Sequence, residues 1–291
     1  MTTNTLCFAV IGGDTRQLYM TERLRALGYR ITCAGFEHAS FAGLQRSVSL
    51  ADALLPADAA VLPLPVSRDD KTVNAAFAER ELPLAALTEA LRPGIPVFCG
   101  MPPEPFRRTL EAKDCPVLDY FKREDLTLRN ALLTAEGLLG LLCEKLPVTI
   151  AGLCCAVTGY GRVGRCTARA LAALGAQVTV FARNAAARAQ AEIDHLHTEP
   201  LEALPLYAER FDCVINTIPH PVVSEQTLAV SRRDCVFIEL ASAPYGIDAD
   251  AAGRCGRRLL RAASLPGKTA PKTAGEIIAD TIHKMILEGS A

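Results

Sequence analysis

The stretch 153–183 leaves this chain the least freedom in what it can fold into. An apolar run, Leu153-Cys154-Cys155-Ala156-Val157-Thr158, leads directly into Gly159-Tyr160-Gly161-Arg162-Val163-Gly164. Good helix formers follow to Leu174, then Gly175 and a second β-rich run ending in Val180-Phe181. Strand, glycine turn, helix and strand thus fall in one unit of about 30 residues, the context that gives a G-x-G-x-x-G spacing its meaning. Gly159 permits the tight turn, Gly161 lets backbone approach a pyrophosphate, and Gly164 allows helix and strand to pack closely. The amides at the helix start then face the anion. The reading is a Rossmann dinucleotide site holding Gly159, Gly161, Arg162, Val163 and Gly164.

The residues after the second strand bear on which dinucleotide. Arg183 lies 24 positions beyond Gly159, near where an acid usually reads the ribose hydroxyls, and the preceding position is Ala182. Without a carboxylate to repel a 2′-phosphate, and with a planar cation to meet one, NADP(H) is favoured over NAD(H). The plainer reading of Arg183, and of Arg162, is a solvated surface arginine. Ligands in such sheets sit beyond the carboxyl ends of the strands, so Thr217 and Pro219 after one strand, and Ala241 and Ser242 after another, are expected beside the nicotinamide. His220 is a candidate proton donor near neutral pH, or simply a surface histidine after a proline.

Short β-rich runs alternate with helical stretches along the rest of the chain, the pattern of parallel sheets joined by crossover helices. Strands are expected at 7–11, 30–33, 59–62, 96–99 and 117–118, and again at 153–158, 177–181, 212–218, 236–240 and 258–262. The expected class is α/β, with two doubly wound parallel-sheet domains. An N-terminal flavodoxin-like domain (1–125) is joined by a long helix (126–150) to a C-terminal Rossmann domain (151–273). A closing helix, 274–291, can complete the first domain. With 31 basic against 32 acidic residues, a nucleic-acid binder is not expected. The longest apolar stretch, 131–146, is broken by Glu136, Glu144 and Lys145, so no membrane span is expected. Residues 1–5 show no basic leader, which leaves the cytoplasm as the expected location. Eleven scattered cysteines without a Cys-x-x-Cys pair read as reduced thiols, with no metal site.

A second glycine signal follows the first strand, in Gly12-Gly13-Asp14-Thr15-Arg16-Gln17. Asp14 suits a helix N-cap. Arg16, a cation in the first helical turn, needs a negative partner there, which is either an anionic ligand or Asp14. Near the C-terminus, Lys268 and Lys272 frame a rigid loop that also carries Thr269. Two ammonium groups so spaced suit a dicarboxylate, and equally an ordinary solvated loop. The arginine, glutamate and histidine set of 2-hydroxy acid dehydrogenases is missing. Ser242 is followed by Ala243-Pro244, and the last loop offers Gly267-Lys268.

Taken together, 9–18 (Ala-Val-Ile-Gly-Gly-Asp-Thr-Arg-Gln-Leu), Thr134-Ala135-Glu136-Gly137, Asn216-Thr217-Ile218-Pro219, Leu240-Ala241-Ser242, Leu265-Pro266-Gly267 and Ala270-Pro271-Lys272-Thr273-Ala274-Gly275 resemble the A-subunit family of dipicolinate synthase. The resemblance covers nearly the whole chain. It implies oxidation of dihydrodipicolinate to pyridine-2,6-dicarboxylate with hydride transfer to NADP, in complex with a flavoprotein-like partner, the B-subunit of dipicolinate synthase, in the mother cell of a sporulating bacterium. It also bears on the substrate side, where Arg16 and Lys272 would meet the two carboxylates and Glu136 would either take the released proton or play a structural role inside the joining helix. Lys268 and His220 depart from the residues expected at those places in the family. The alternatives are a non-catalytic NADP(H)-binding regulatory subunit, or another NADP-dependent small-acid reductase. Homo-oligomers are compatible with all three.

Overall fold

The computed structural model describes residues 6–41 and 48–289. The segment 1–5, read above for a leader, lies outside the described residues. The fold is α/β, and the chain divides into two compact units, 1–130 with 270–291 and 131–269.

Unit 1 runs β1 (Cys7–Ile11), α1 (Thr15–Ala26), β2 (Arg30–Ala34), α2 (Leu50–Leu54), β3 (Ala59–Val61), α3 (Leu84–Ala90), β4 (Val97–Cys99), α4 (Glu104–Glu111) and β5 (Val117–Asp119). The strands form one parallel sheet in the order β2-β1-β3-β4-β5, which reverses direction between β1 and β3. Every residue of β1 is buried, as a central strand covered by helices on both faces requires. α1 starts where Asp14 accepts from the Arg16 amide and Gln17 reaches back to the Asp14 amide, a reciprocal cap.

Helix α5 (Glu124–Lys145) contributes 124–130 to unit 1 and 131–145 to unit 2. Contrary to the expectation from its broken apolar run, it is long and apolar enough to cross a membrane, with a mean hydropathy of 1.3 over its best window. Of its apolar side chains, Leu126 packs into a core of unit 1 and Leu138 and Leu142 into one of unit 2, while Leu128 and Leu132 are exposed.

Unit 2 continues with β6 (Cys154–Thr158), α6 (Arg162–Ala173), β7 (Gln177–Ala182), α7 (Ala185–Ile193), β8 (His197–Pro200), α8 (Leu204–Tyr207), β9 (Cys213–Asn216), α9 (Glu225–Val230), β10 (Val236–Glu239), α10 (Ala249–Arg254), β11 (Arg258–Arg261) and α11 (Leu265–Thr269). Its six parallel strands lie in the order β11-β10-β9-β6-β7-β8, the dinucleotide-fold arrangement, reversing between β6 and β9. β8 was not expected. The strand expected over 212–218 stops at Asn216, which leaves Thr217 and Ile218 in the loop beyond it.

The last helix, α12 (Pro271–Leu287), belongs to unit 1 and packs along α1. A Cβ at Gly275 would press into the backbone of Arg16 and Met20, so glycine there sets how closely the two helices approach. The rigid loop expected around Lys268 and Lys272 is corrected. Lys268 lies in the short helix α11, and Lys272 in the first turn of α12, which begins at Pro271 rather than Ala274. Pro266 and Pro271 fall in first turns, where the missing N–H costs nothing.

Candidate functional site: a dinucleotide cradle in unit 2

The glycine turn closes β6 onto α6. Gly159 takes φ +87° and donates its amide to Phe181 O at 2.8 Å, which joins the turn to β7. A Cβ on Gly164 would overlap the Gly159 carbonyl, whereas a Cβ on Gly161 would meet nothing within 4 Å. Gly164 is therefore required by packing, and Gly161 keeps the surface clear. Gly161 is also the N-cap of α6, and no side chain caps that end. A twelve-residue helix thus presents its first amides and the positive end of its dipole to open space, which suits an anion.

The turn is braced from the side. Tyr160 Oη donates to Asp194 Oδ2 at 2.7 Å, and Arg165 Nε donates to the same oxygen at 3.1 Å. The Tyr160 hydrogen bond, with Arg165 beside it, holds the Asp194 carboxyl below its usual range. Burial, and then the hydrogen bond to the charged Asp194, pushes the Tyr160 phenol up. At the end of β7, Arg188 Nη1 donates to the carbonyls of Ala182 and Arg183, and Asn184 caps α7. This leaves the Arg183 side chain exposed on the rim of a groove of about 470 Å³ lined by Gly159, Gly161, Asn184, Ile218 and His220.

Across the point where the strand order reverses, a buried polar network fixes the remaining loops. Thr158 Oγ1 donates to Asn216 Oδ1 at 2.6 Å, and Asn216 Nδ2 donates to Ile218 O and to Glu239 Oε1 at 2.9 and 2.6 Å. Glu239 is only 2% exposed, and it also accepts the amides of Ala241, Gly246 and Ile247 at 2.8–3.0 Å. Four donors satisfy one carboxylate, which is how a buried charge is tolerated. The network holds the Thr217–Pro219 and Ala241–Ser242 loops in place. Thr217 Oγ1 donates to Thr158 O, while Pro219, His220 and Ser242 are exposed.

Within unit 2 the structure therefore brings together Gly159, Gly161, Arg183 and His220 on one groove. Arg162 is exposed and Val163 half-buried in the first turn of α6. Glu136 is exposed on α5. Lys268 is exposed on α11, where the Thr269 hydroxyl donates to Leu265 O.

In unit 1, Arg16 is 4% exposed. Its Nε and Nη2 bind Asp14 at 2.9 and 2.8 Å, and Nη2 also donates to Leu64 O. Of the two partners considered for Arg16, Asp14 is the one in contact. Lys272 is exposed. Gln17 is fully buried, and its Nε2 has no hydrogen-bond partner among the described residues, as is also true of Asn74 Nδ2. An unpaired buried amide donor costs about 1–3 kcal/mol.

Tyr160–Asp194, Asn216–Glu239, Gln17 and Asn74 escape a reading of the sequence alone. Only the acid ending an apolar strand at Glu239 carries a local signal.

Comparison with known proteins agrees with this geometry. Residues 7–121 match the family described as the N-terminal domain of the dipicolinate synthase A-subunit, and residues 146–248 match a family described as NAD(P)-binding. The dipicolinate synthase A-subunit of Bacillus subtilis (strain 168) is 31% identical over 290 residues, covering 97% of this chain and 96% of that protein. The crystal structure of the dipicolinate synthase A-subunit from Bacillus halodurans superposes with a TM-score of 0.87 at 29% identity, covering 96% of this chain and 97% of that one. The corresponding crystal structure from B. subtilis gives 0.86 at 30%, over 98% and 97%. A transhydrogenase from Sinorhizobium meliloti shares the fold, with a TM-score of 0.68 at 17% identity over 96% and 93% of the two chains. With a glycine cradle in an NAD(P)-binding domain and a relative of 31% identity along nearly its full length, the chain belongs to the A-subunit family of dipicolinate synthase.

Proposed function

We propose that this chain is the nicotinamide-dependent subunit of a dipicolinate synthase, oxidising dihydrodipicolinate to pyridine-2,6-dicarboxylate with NADP as hydride acceptor, together with a B-subunit partner. The observation that carries the reading is the uncapped start of α6. There Gly161 leaves room for a pyrophosphate that Gly164 could not. When bound, the nicotinamide supplies the hydride acceptor, and the substrate ring that gives up the hydride becomes aromatic, so no strong base is required.

The chain's own groups then hold and orient. The α6 amides take the pyrophosphate. Arg183, exposed on the groove rim with no acid at the end of β7, takes a 2′-phosphate, which favours NADP over NAD. The Thr217–Pro219 and Ala241–Ser242 loops, fixed by Asn216 and Glu239, line the nicotinamide. Arg16, locked to Asp14, shapes the turn after β1, and Lys272 and Lys268 offer cations to carboxylates. Glu136 or His220, both exposed, passes the released proton to water. By this reading the chain works in the cytoplasm of the sporulating mother cell.

The test is turnover. The purified chain with its B-subunit partner should reduce NADP when given dihydrodipicolinate, followed by nicotinamide absorbance. Tight NADPH binding with no reduction under any pairing would instead make it a binding or regulatory subunit.

A further inference from the structure

The groove beside the glycine turn holds two basic side chains that no contact within the protein explains. Arg183 and His220 both line it, and no Asp or Glu does. Neither side chain makes a hydrogen bond or ion pair among the described residues. The polar groups around them are engaged elsewhere. Asn184 Oδ1 accepts the Ala186 amide, Arg188 Nη1 donates to the carbonyls of Ala182 and Arg183, and Tyr160 Oη donates to Asp194.

The two cations reach the groove from opposite sides. β7 and β9 flank β6 in the sheet, so Arg183 enters from the strand on one side of the glycine turn and His220 from the loop after the strand on the other. That loop is pinned on both flanks of His220. Asn216 Oδ1 accepts the Ile218 amide and Asn216 Nδ2 donates to Ile218 O, while the amides of Val222 and Val223 donate to Gly246 O. Leu201 and Ile218 add apolar walls that suit a purine. A phosphate monoester carries about −1.5 to −2 charges at pH 7, of which one guanidinium neutralises only part.

We propose that His220 is a specificity residue for the dinucleotide, its imidazolium meeting the 2′-phosphate of NADP opposite Arg183. The proposal rests on the NADP reading above and deepens it, because the dianion is then held between cations from both neighbours of β6. It also removes His220 from the groups that pass on the released proton.

The contact carries its own pH signature. An imidazole ordinarily loses its proton near about pH 6.5, so the attraction is present around that pH and fades above it. The other titratable groups lining the groove are Tyr160 and Arg183. Burial and the hydrogen bond to Asp194 push the Tyr160 phenol up, and a guanidinium stays charged, so neither supplies a change over this range.

The experiment is a calorimetric titration of the full chain with NADPH and with NADH at pH 6.5 and pH 8.5, on wild type and His220→Gln. At pH 6.5 the variant should bind NADPH about tenfold more weakly and NADH unchanged, and at pH 8.5 the two proteins should bind NADPH alike. Equal loss of NADPH and NADH affinity would put His220 against the adenine instead and overturn the proposal. So would unchanged NADPH affinity at pH 6.5, or a loss undiminished at pH 8.5; in each case the NADP reading stands. A wild-type chain that does not favour NADPH over NADH at either pH refutes both.

Discussion

Gly161 and Gly164 lack a side chain for opposite reasons, and substitution separates them. Gly164→Ala places a methyl on the Gly159 carbonyl, an overpacking expected to cost about 1–3 kcal/mol and to lower Tm by about 2–4 °C per kcal/mol. Gly161→Ala meets no protein atom, so stability should hold within about 0.5 kcal/mol while NADPH affinity falls at least about tenfold. Thermal unfolding and a nucleotide titration on the same two variants check both. Glu239→Leu takes the acceptor from one of the two Asn216 Nδ2 hydrogen bonds and from three backbone amides, for a loss of at least about 3 kcal/mol in urea unfolding. The glycines were legible because their spacing is itself the signal. Asn216 was not, and Glu239 only as an acid ending an apolar strand, because a network made across neighbouring strands leaves little pattern along one. Arg16 was half legible: the need for a negative partner followed from its place in the helix, but the choice of Asp14 is a matter of geometry.

Among the elements, α12 shows how a terminal helix is pinned within unit 1. Arg123 binds Glu288 just past its end, and Lys284 binds Asp125 at 3.3 Å. The Arg123 hydrogen bonds hold the Glu288 carboxyl below its ordinary value of 4.5. A carboxylate depressed in the native state stabilises it above the unfolded pKa and loses that contribution as pH falls through the native one. Protection of the α12 amides should therefore be full above about pH 5 and decline in acid, and Glu288→Gln should flatten that decline. Hydrogen exchange against pH measures it, and an unaltered acid limb in the variant would contradict it. Elsewhere local reading failed where tertiary context decides. β8 has the sequence His197-Thr198-Glu199-Pro200, without an apolar residue before the proline, and is a strand only because β7 offers it an edge. The segment from Leu265 reads as a loop because of Pro266 and Gly267, yet it folds as α11, with Leu265 buried and Gly137 of α5 giving Leu265 and Thr269 room.

For the molecule as a whole, class and division into two sheets were legible from the alternation of β-rich and helical runs, since parallel neighbours require crossovers. The long α5 was legible as a helix, but its sharing between two cores was not, because a single apolar stripe does not say which neighbour it meets. A net charge of −1 over 291 residues gives no general attraction for a polyphosphate, so on the proposed reading nucleotide binding falls to the local cradle and Arg183. Loss of a charge-assisted contact to a 2′-phosphate is worth about 1.5–3 kcal/mol, or roughly tenfold to a hundredfold in affinity. The most direct measurement is a calorimetric titration of the full chain with NADPH and with NADH, repeated on Arg183→Ala. The account predicts tighter binding of NADPH, with that advantage lost in the variant while NADH affinity is unchanged. Failure of the wild-type chain to bind either nucleotide would contradict it.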